Sequence, residues 1–171
     1  QVRKGTVHAL MGENGAGKST LMKILSGIYG PDSGEIILNG EKIEFKNPAD
    51  ALQYGISMIH QELTPISEMT IGENVFLGRE PIYAKTRLIN YKKLYKQAKD
   101  LLKEIDLDLD PRTKMKDLNI AETQLIEIIK ALSYDSQVII MDEPTSAITD
   151  QEVEKLFGII ELLKKQGKGI I

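Results

Sequence analysis

A glycine-rich segment, Gly12-Glu-Asn-Gly-Ala-Gly-Lys-Ser19, constrains the fold of this chain more than any other feature, since it satisfies the pattern G-x-x-x-x-G-K-[ST]. The apolar stretch Val7–Met11 before it predicts a buried strand, and the apolar periodicity from Lys18 to Ser26 predicts a helix. In this order, the backbone N–H groups of the loop converge on phosphate oxygens, and the helix N-terminus adds partial positive charge. The segment therefore predicts a phosphate-binding loop in an α/β fold.

The loop and the first helical turn supply the predicted nucleotide-binding residues: Gly12, Glu13, Asn14, Gly15, Ala16, Gly17, Lys18, Ser19 and Thr20. We expect the Lys18 ammonium to reach the β and γ phosphates and the Ser19 hydroxyl to bind Mg²⁺. A plain glycine-rich turn before a helix is the alternative interpretation. The flanking strand and helix patterns disfavour it.

Two acidic residues follow a second apolar stretch, Val138–Met141, which is typical of a buried strand. Asp142 is the candidate ligand for the Mg²⁺ shell. Glu143 is the candidate to orient the attacking water or accept its proton. Gln61 follows another predicted strand, Ile56–Ile59, and is a candidate to contact both metal and water, with an ordinary loop glutamine as the alternative.

Composition excludes other classes of site. The chain has no cysteine, which excludes disulfides and thiolate metal sites. His8 and His60 are the two histidines, and we interpret both as structural. No apolar run approaches the roughly 18 residues that a membrane-spanning helix needs.

Charge is unevenly distributed along the chain. The segment from Arg79 to Lys116 holds 11 Lys/Arg and 6 Asp/Glu, a balance of +5, whereas the remainder has 11 against 19, or −8. Such a basic segment could contact nucleic acid, anionic lipid or an acidic partner. A solvated helix face is the simpler interpretation.

Turn and capping signals indicate how the chain is organised. Asn39-Gly40 predicts a type I′ hairpin between Glu35–Leu38 and Glu41–Phe45. Helix-capping patterns stand at Asn47, Thr70, Asn90 and Asn119. The first predicted helix carries Leu21, Ile24 and Leu25 on its apolar face.

The pattern of residues from about 70 to 132 predicts a helical subdomain inserted between α/β halves. We interpret residues 1–171 as a single, incomplete domain, because Lys168–Ile171 begins a further predicted strand.

The order of phosphate loop, glutamine loop, helical insertion, capped helix and acidic strand resembles the ATPase subunit of an ABC transporter over nearly the whole chain. Met58–Leu63 and Thr70–Pro81 resemble one branch, the ATP-binding proteins of bacterial monosaccharide importers. The resemblance implies a P-loop core with a parallel sheet, an antiparallel β-subdomain and the inserted helical subdomain. It also implies two tandem ATPase domains in one polypeptide, of which the intact phosphate loop indicates the N-terminal one.

This sequence departs from the family pattern in several places. Leu118–Glu122 reads L-N-I-A-E where the family has L-S-G-G-Q, so that Asn119 replaces a serine and Ile120 a glycine. Ser146–Thr149 reads S-A-I-T where S-A-L-D is usual. The family's adenine-stacking aromatic residue and switch histidine fall outside residues 1–171. In the family's closed sandwich, these departures imply one competent and one impaired ATP site.

The function implied by the resemblance is ATP hydrolysis, with ATP and Mg²⁺, that energises import of a ribose-like monosaccharide. The implied partners are the second ATPase domain, transmembrane permease subunits and, indirectly, a periplasmic sugar-binding protein, with no nucleic acid. The implied location is the cytoplasmic face of the bacterial membrane, as a peripheral protein. The helical subdomain and the loop after Gln61 are expected to dock the permease. We expect residues 1–171 alone to hydrolyse ATP poorly.

Two alternatives remain open. One is a soluble ABC-type ATPase of DNA repair or translation, which is disfavoured by the short helical insertion and the lack of a strongly basic groove. The other is a non-catalytic regulatory nucleotide-binding module. The signature departures favour it, whereas the presence of Lys18, Ser19, Asp142 and Glu143 opposes it.

Overall fold

The computed structural model describes residues 1–59, 65–144 and 150–171, apart from the side chains of 150–152. Its helices and strands, in chain order, are α1 (Lys18–Leu25), β1 (Ile36–Leu38), β2 (Glu41–Ile43), α2 (Pro48–Gln53), β3 (Ile56–Ile59), α3 (Ile71–Val75), α4 (Tyr91–Glu104), α5 (Ile120–Leu132), β4 (Val138–Met141), α6 (Asp150–Lys165) and β5 (Gly169–Ile170). The chain forms two compact units. The first comprises Gln1–Gln61, Tyr134–Glu143 and Leu163–Ile171, and the second comprises Glu62–Ser133 and Pro144–Leu162.

A parallel sheet organises the first unit. Its strand order is β3-β4-β5, and the register pairs Ile56 with Val138 and Val138 with Gly169. The predicted strands Ile56–Ile59 and Val138–Met141 are confirmed with the same bounds. Burial on both faces explains why β4 reads as a continuous apolar run rather than an alternating one.

The predicted buried strand Val7–Met11 is wrong. Only Val7 forms a parallel bridge, with Ile170, and the exposed fraction is 47% for Val7 and 89% for Met11. The apolar residues of Val7–Met11 favour burial, but they are buried only where other helices or strands pack over them. Among the described residues, the backbone of this segment pairs with β5, through bonds such as His8 N–H to the Ile170 carbonyl (2.8 Å).

The antiparallel hairpin confirms the turn predicted from Asn39-Gly40. Strands β1 and β2 pair around it, with Leu38 opposite Glu41. Asn39 has φ 52° and Gly40 has φ 87°, so both central residues are left-handed, as a type I′ turn requires.

Helix α1 confirms the predicted helix, which ends one residue earlier than expected, with Ser26 as C-cap. Its buried face differs from the prediction. Met22 is buried, whereas Leu21 is exposed. Met22 packs in a cluster with Ile43, Ala51, Ile56 and Ile140, so the neighbours of the helix, rather than its own periodicity, select this face.

The second unit packs α3, α4 and α5 around an apolar core. Its buried members are Ile71, Val75, Phe76, Leu94, Ala98, Leu102, Met115, Ile126 and Ile129. Asn90 caps α4, as predicted, and the buried residues Leu94, Ala98 and Leu102 recur every four residues along one face of that helix. The prediction of one incomplete domain with a subdomain at about 70–132 stays a prediction.

Local hydrogen bonds begin these helices at the predicted residues. The Thr70 and Asn119 side chains form complete capping boxes with Glu73 and Glu122. In the second box, Asn119 Oδ1 accepts from the Glu122 N–H (2.8 Å), and a Glu122 carboxylate oxygen accepts from the Asn119 N–H (3.0 Å). Both boxes satisfy N–H groups that a helix start otherwise leaves unpaired.

No helix within the described part of the chain combines the length and the apolar character that crossing a membrane requires.

Asn119→Ala removes the oxygen that caps α5, so we expect a modest fall in melting temperature and about 1 kcal/mol lost from the free energy of unfolding. Asn119→Ser keeps a capping oxygen and is the matched control, with a smaller loss expected. Thermal and urea unfolding of both variants provides the measurement. Equal stability of Asn119→Ala and the unmodified protein would show that the capping box contributes nothing.

Candidate functional site

The glycine-rich loop has the backbone geometry of a phosphate cradle. Gly15 has φ 84° and Gly17 has φ 90°, a region that L side chains rarely adopt. A Cβ added at Gly12 would meet the Ala16 Cβ at 3.2 Å, so a larger residue at position 12 would crowd the turn. The Ala16 N–H donates to the Glu13 carbonyl (3.1 Å) and closes the loop. Gly12 and Gly17 occupy the two glycine positions of the motif, and Gly15 is a further glycine within the loop.

The N-terminus of α1 offers its N–H groups to a ligand rather than to a cap. Gly17 occupies the N-cap position without a side-chain hydrogen bond, and the first turn of α1 contains no acidic residue. The positive end of the helix dipole therefore meets no carboxylate from its own first turn. Gly12 to Ser19, with the exception of half-buried Lys18, is exposed and accessible to an anion.

Lys18 folds back over the loop. Its Nζ donates to the carbonyl oxygens of Gly12 (2.7 Å) and Glu13 (3.0 Å). The ammonium is thus held at the start of the loop by two neutral acceptors, which are weaker partners than a phosphate oxygen. Motif spacing did not predict this contact, because it depends on the curvature of the closed loop.

The acidic pair lies at the carboxyl end of β4. The Asp142 N–H donates to the Ile59 carbonyl (3.1 Å), which extends the β3–β4 pairing by one residue. Asp142 is half-buried, and Glu143 is exposed. Glu143 has φ 47°, an uncommon value for a residue with a side chain. A strained backbone at a polar residue is a frequent mark of a functional site.

Sheet topology brings the candidate segments to one edge. Strands β3, β4 and β5 are parallel, and Val7 bridges to Ile170 in the same direction. The carboxyl ends of parallel strands lie at the same edge, which is where open α/β sheets bind ligands. From these pairings we expect the glycine-rich loop after the Val7 segment and Asp142-Glu143 after β4 to lie at this edge. Gln61, His60 and Ser146–Thr149 lie outside the described residues, so their predicted roles stay predictions.

The described donors fit Mg²⁺ better than a softer metal. Ser19 and Asp142 offer hydroxyl and carboxylate oxygens, the hard ligands that Mg²⁺ prefers. No group of three or more His, Cys, Asp or Glu suited to a metal ion occurs among the described residues. Mg²⁺ commonly takes one or two protein oxygens and completes its shell with phosphates and water. A sparse oxygen set beside a phosphate loop meets that requirement.

The segment Leu118–Glu122 presents a different helix start. The Asn119 oxygen and the Glu122 carboxylate are engaged in the capping box, and Thr123 Oγ1 donates to the Asn119 carbonyl (2.9 Å). Ile120 is 63% exposed. The capping box engages the N–H groups of Asn119 and Glu122, and its carboxylate brings negative charge to the place that an approaching phosphate would occupy.

An exposed segment of the second unit, residues 81–93, combines apolar and basic side chains and comprises the loop before α4 together with the first residues of that helix. We call it the basic loop. The Asn90 N–H donates to the Pro81 carbonyl (2.7 Å), and the Tyr83 N–H to the Leu88 carbonyl (2.9 Å), which gives the loop an ordered, hairpin-like backbone. Its exposed large apolar residues are Ile82, Tyr83, Leu88, Ile89 and Tyr91. Its basic residues are Lys85, Arg87, Lys92 and Lys93, and it contains no acidic residue.

The chain matches the family model for ABC transporters over residues 1–146. A putative ribose/galactose/methyl galactoside import ATP-binding protein of Halalkalibacterium halodurans is 61% identical over 171 residues, which is 100% of this chain and 33% of that protein. A galactose/methyl galactoside import ATP-binding protein of Photobacterium profundum is 57% identical over 170 residues, 99% of this chain and 34% of that protein. The chain thus spans about a third of the length of these curated relatives.

Solved structures show the same fold. A nucleotide-free ATP-binding cassette from an ABC transporter matches with a TM-score of 0.84 at 29% identity, covering 99% of this chain and 70% of that chain. An ATP-binding cassette of an ABC transporter in its ADP conformation matches with a TM-score of 0.81 at 27% identity, with the same coverage. The predicted α/β P-loop fold is therefore confirmed.

Lys18→Ala removes the cation at the phosphate loop, so we expect the affinity for Mg-ATP to fall by about tenfold or more, as befits the loss of a charge-assisted hydrogen bond. Calorimetry measures the affinity, and circular dichroism checks that the fold survives. Lys42→Ala, on the exposed hairpin, is the matched control. Unchanged affinity in a folded Lys18→Ala variant would contradict the assignment of the phosphate loop.

Proposed function

Because this chain belongs to the ABC transporter family, we propose that it is the ATP-binding and ATP-hydrolysing part of an importer that takes up a ribose-like monosaccharide through a membrane permease. The observation that carries the proposal is the shared carboxyl edge of the parallel sheet. The parallel pairings of β3, β4, β5 and Val7 support placing the left-handed glycines of the loop and the acidic pair after β4 at that edge. ATP hydrolysis requires both: the loop binds the triphosphate, and the acidic pair binds the metal and activates the water beside it.

In the proposed reaction, the loop N–H groups and the N-terminus of α1 bind the phosphates. Lys18 exchanges the carbonyls of Gly12 and Glu13 for the β and γ phosphate oxygens, which are stronger, charged acceptors. Ser19 and Asp142 would hold Mg²⁺, with Gln61 as the predicted third contributor. The ion, when bound, would neutralise part of the negative charge on the phosphates.

Glu143 is the proposed catalytic carboxylate. It accepts a proton from the water that attacks the γ phosphate, or orients that water. Its exposed side chain leaves space for water, while Asp142 is half-buried and tied to β3 through its backbone. This difference in surroundings supports separate roles for two adjacent carboxylates, one for the metal and one for the water.

The larger assembly is also part of the proposal. The relatives are about three times as long as this chain, which supports a second ATPase domain in the same polypeptide. The proposed location is the cytoplasmic face of the bacterial membrane, where permease subunits dock and a periplasmic protein delivers the sugar. An ATPase of DNA repair or translation is not favoured, because the named relatives are sugar-import proteins.

The basic loop is the proposed docking element for the permease. Leu88 is 66% exposed, in a loop whose backbone hydrogen bonds hold it in a defined shape. Exposed apolar side chains surrounded by charges of one sign suit a partner with apolar and acidic groups. No ion pair engages Lys85, Arg87, Lys92 or Lys93 in the described part of the chain, so these cations are available to such a partner.

Glu143→Gln keeps the shape of the side chain and removes its basicity. We expect ATP hydrolysis by the complete natural polypeptide to fall by about 10²–10⁴-fold, the range for losing a general base, while ATP binding persists. Single-turnover hydrolysis and nucleotide binding are the two measurements. Glu41→Gln, on the exposed hairpin, is the control. Near-normal turnover of Glu143→Gln would remove Glu143 from the mechanism.

Leu88→Glu introduces a charge into the apolar part of the basic loop. We expect weaker co-purification with the permease subunits and lower transport, because a buried contact would now enclose an unpaired carboxylate. ATP binding should be unchanged. Phe157→Glu alters a similarly exposed apolar residue on α6 and serves as the control. If Leu88→Glu co-purifies with the permease as well as the unmodified protein does, the docking assignment is wrong.

A further inference from the structure

One polar side chain lies within the apolar packing of α5. Gln124 is 7% exposed, and its helix neighbours Ala121, Leu125 and Ile128 are buried as well. The Gln124 Nε2 donates a hydrogen bond to the carbonyl oxygen of Pro144, in the same compact unit. Its Oε1 is buried without a hydrogen-bond partner among the described residues.

This amide carries a stability cost that an apolar residue would avoid. A buried oxygen that has lost water and gained no donor destabilises the folded state. Methionine has a similar length and volume, and it would fill the same space without that cost. A glutamine at position 124 is therefore poorly explained by packing alone. Within the described residues, its hydrogen bond to Pro144 is the interaction that explains a glutamine on this helix face.

The backbone next to that hydrogen bond is strained. Pro144 directly follows Glu143, which has φ 47°. A residue before proline prefers an extended backbone, so a left-handed Glu143 is doubly unfavourable. Such a conformation persists only where the surroundings hold it in place. Proline has no N–H, so its carbonyl is the one backbone hydrogen-bonding group that Pro144 offers as an anchor.

We propose that Gln124 is a positioning residue for Glu143, because its amide anchors the Pro144 carbonyl and thereby fixes the backbone that aims the Glu143 carboxylate. The inference rests on the proposed function of Glu143. Gln124 acts through the backbone of the acid and contacts no reacting group. Its loss should therefore slow hydrolysis and leave ATP binding unchanged.

Gln124→Met is the first test, in the complete natural polypeptide assembled with its permease. We expect kcat to fall by about 10- to 100-fold, the effect of misplacing a catalytic group by roughly 1 Å. The KM for ATP should stay within about twofold, since ground-state binding is untouched. The melting temperature should be equal or higher. An unchanged kcat, or a raised KM with unchanged kcat, would overturn the proposal.

Leu125→Met is the matched control for a generic change in this core. It replaces the adjacent buried residue of α5 with the same side chain, and we expect kcat to stay within about twofold of the unmodified protein, because volume-conserving apolar exchanges are well tolerated. An equal loss of kcat in both variants would assign the effect to core packing and would count against a specific role for Gln124.

Gln124→Glu tests the hydrogen bond to Pro144 itself, because a change in packing alone would not alter how kcat depends on pH. A protonated carboxyl can donate its O–H to the Pro144 carbonyl, whereas the ionised form has no donor. Burial disfavours the ionised form, so the protonated carboxyl persists above its usual pH range. We expect the ratio of variant to unmodified kcat to fall as pH rises. A ratio independent of pH would contradict the proposal, and this arm decides alone if Gln124→Met does not fold.

The double variant Gln124→Met/Glu143→Gln separates the two hypotheses. If Gln124 acts through Glu143, adding Gln124→Met to Glu143→Gln should cause no further loss of kcat. If Glu143→Gln alone leaves hydrolysis intact, the proposed role of Glu143 fails. If Glu143→Gln abolishes hydrolysis and Gln124→Met leaves kcat unchanged, the positioning role of Gln124 alone is refuted.

Discussion

The candidate site depends on the parallel pairing of β3 with β4. This register, Ile56 with Val138 through Ile59 with Met141, ends both strands at the same level of the sheet. The Asp142 N–H then adds one more bond, to the Ile59 carbonyl. The next residue, Glu143, has a left-handed backbone. The hydrogen bond from Asp142 to Ile59 therefore keeps Asp142 beside β3, and the chain leaves the sheet at Glu143. A shift of one residue would turn each side chain of β4 to the opposite face of the sheet and would move both acids along it by about 3.3 Å.

The sequence predicted best those features that nearby residues determine. The caps at Asn47, Thr70, Asn90 and Asn119 each involve partners three residues away, and the hairpin at Asn39 depends on two adjacent φ angles. The spacing of the motif likewise predicted the loop that precedes α1. Such features follow from chain geometry alone, so they need no knowledge of the rest of the fold.

Features that depend on distant parts of the chain were not predictable in the same way. The Val7–Met11 segment has a strand composition, yet its burial depends on neighbours that its own residues do not specify. Leu21 and Met22 both fit an apolar helix face, and the surrounding cluster decides between them. The hydrogen bond between Gln124 and Pro144 joins residues 20 apart and has no signal in composition or periodicity. A glutamine inside an apolar helix pattern was the available sign, and it gives no indication of its partner.

Two helix N-termini in this chain show how similar backbone geometry can be directed to different uses. Helix α1 begins at a glycine with no side-chain cap, has no acid in its first turn, and carries Lys18 as its first residue. Helix α5 begins in a capping box whose Glu122 carboxylate lies at its N-terminus. A carboxylate there stabilises the helix through the helix dipole and repels a phosphate because both groups are negatively charged. The N-terminus of α1 therefore lacks the stability that a cap provides but suits an anion. The N-terminus of α5 is stabilised by its capping box and suits an anion poorly. This difference, read from the residues at the two helix starts, supports assigning phosphate binding to the loop at Gly12–Ser19 and a mainly structural role to Asn119.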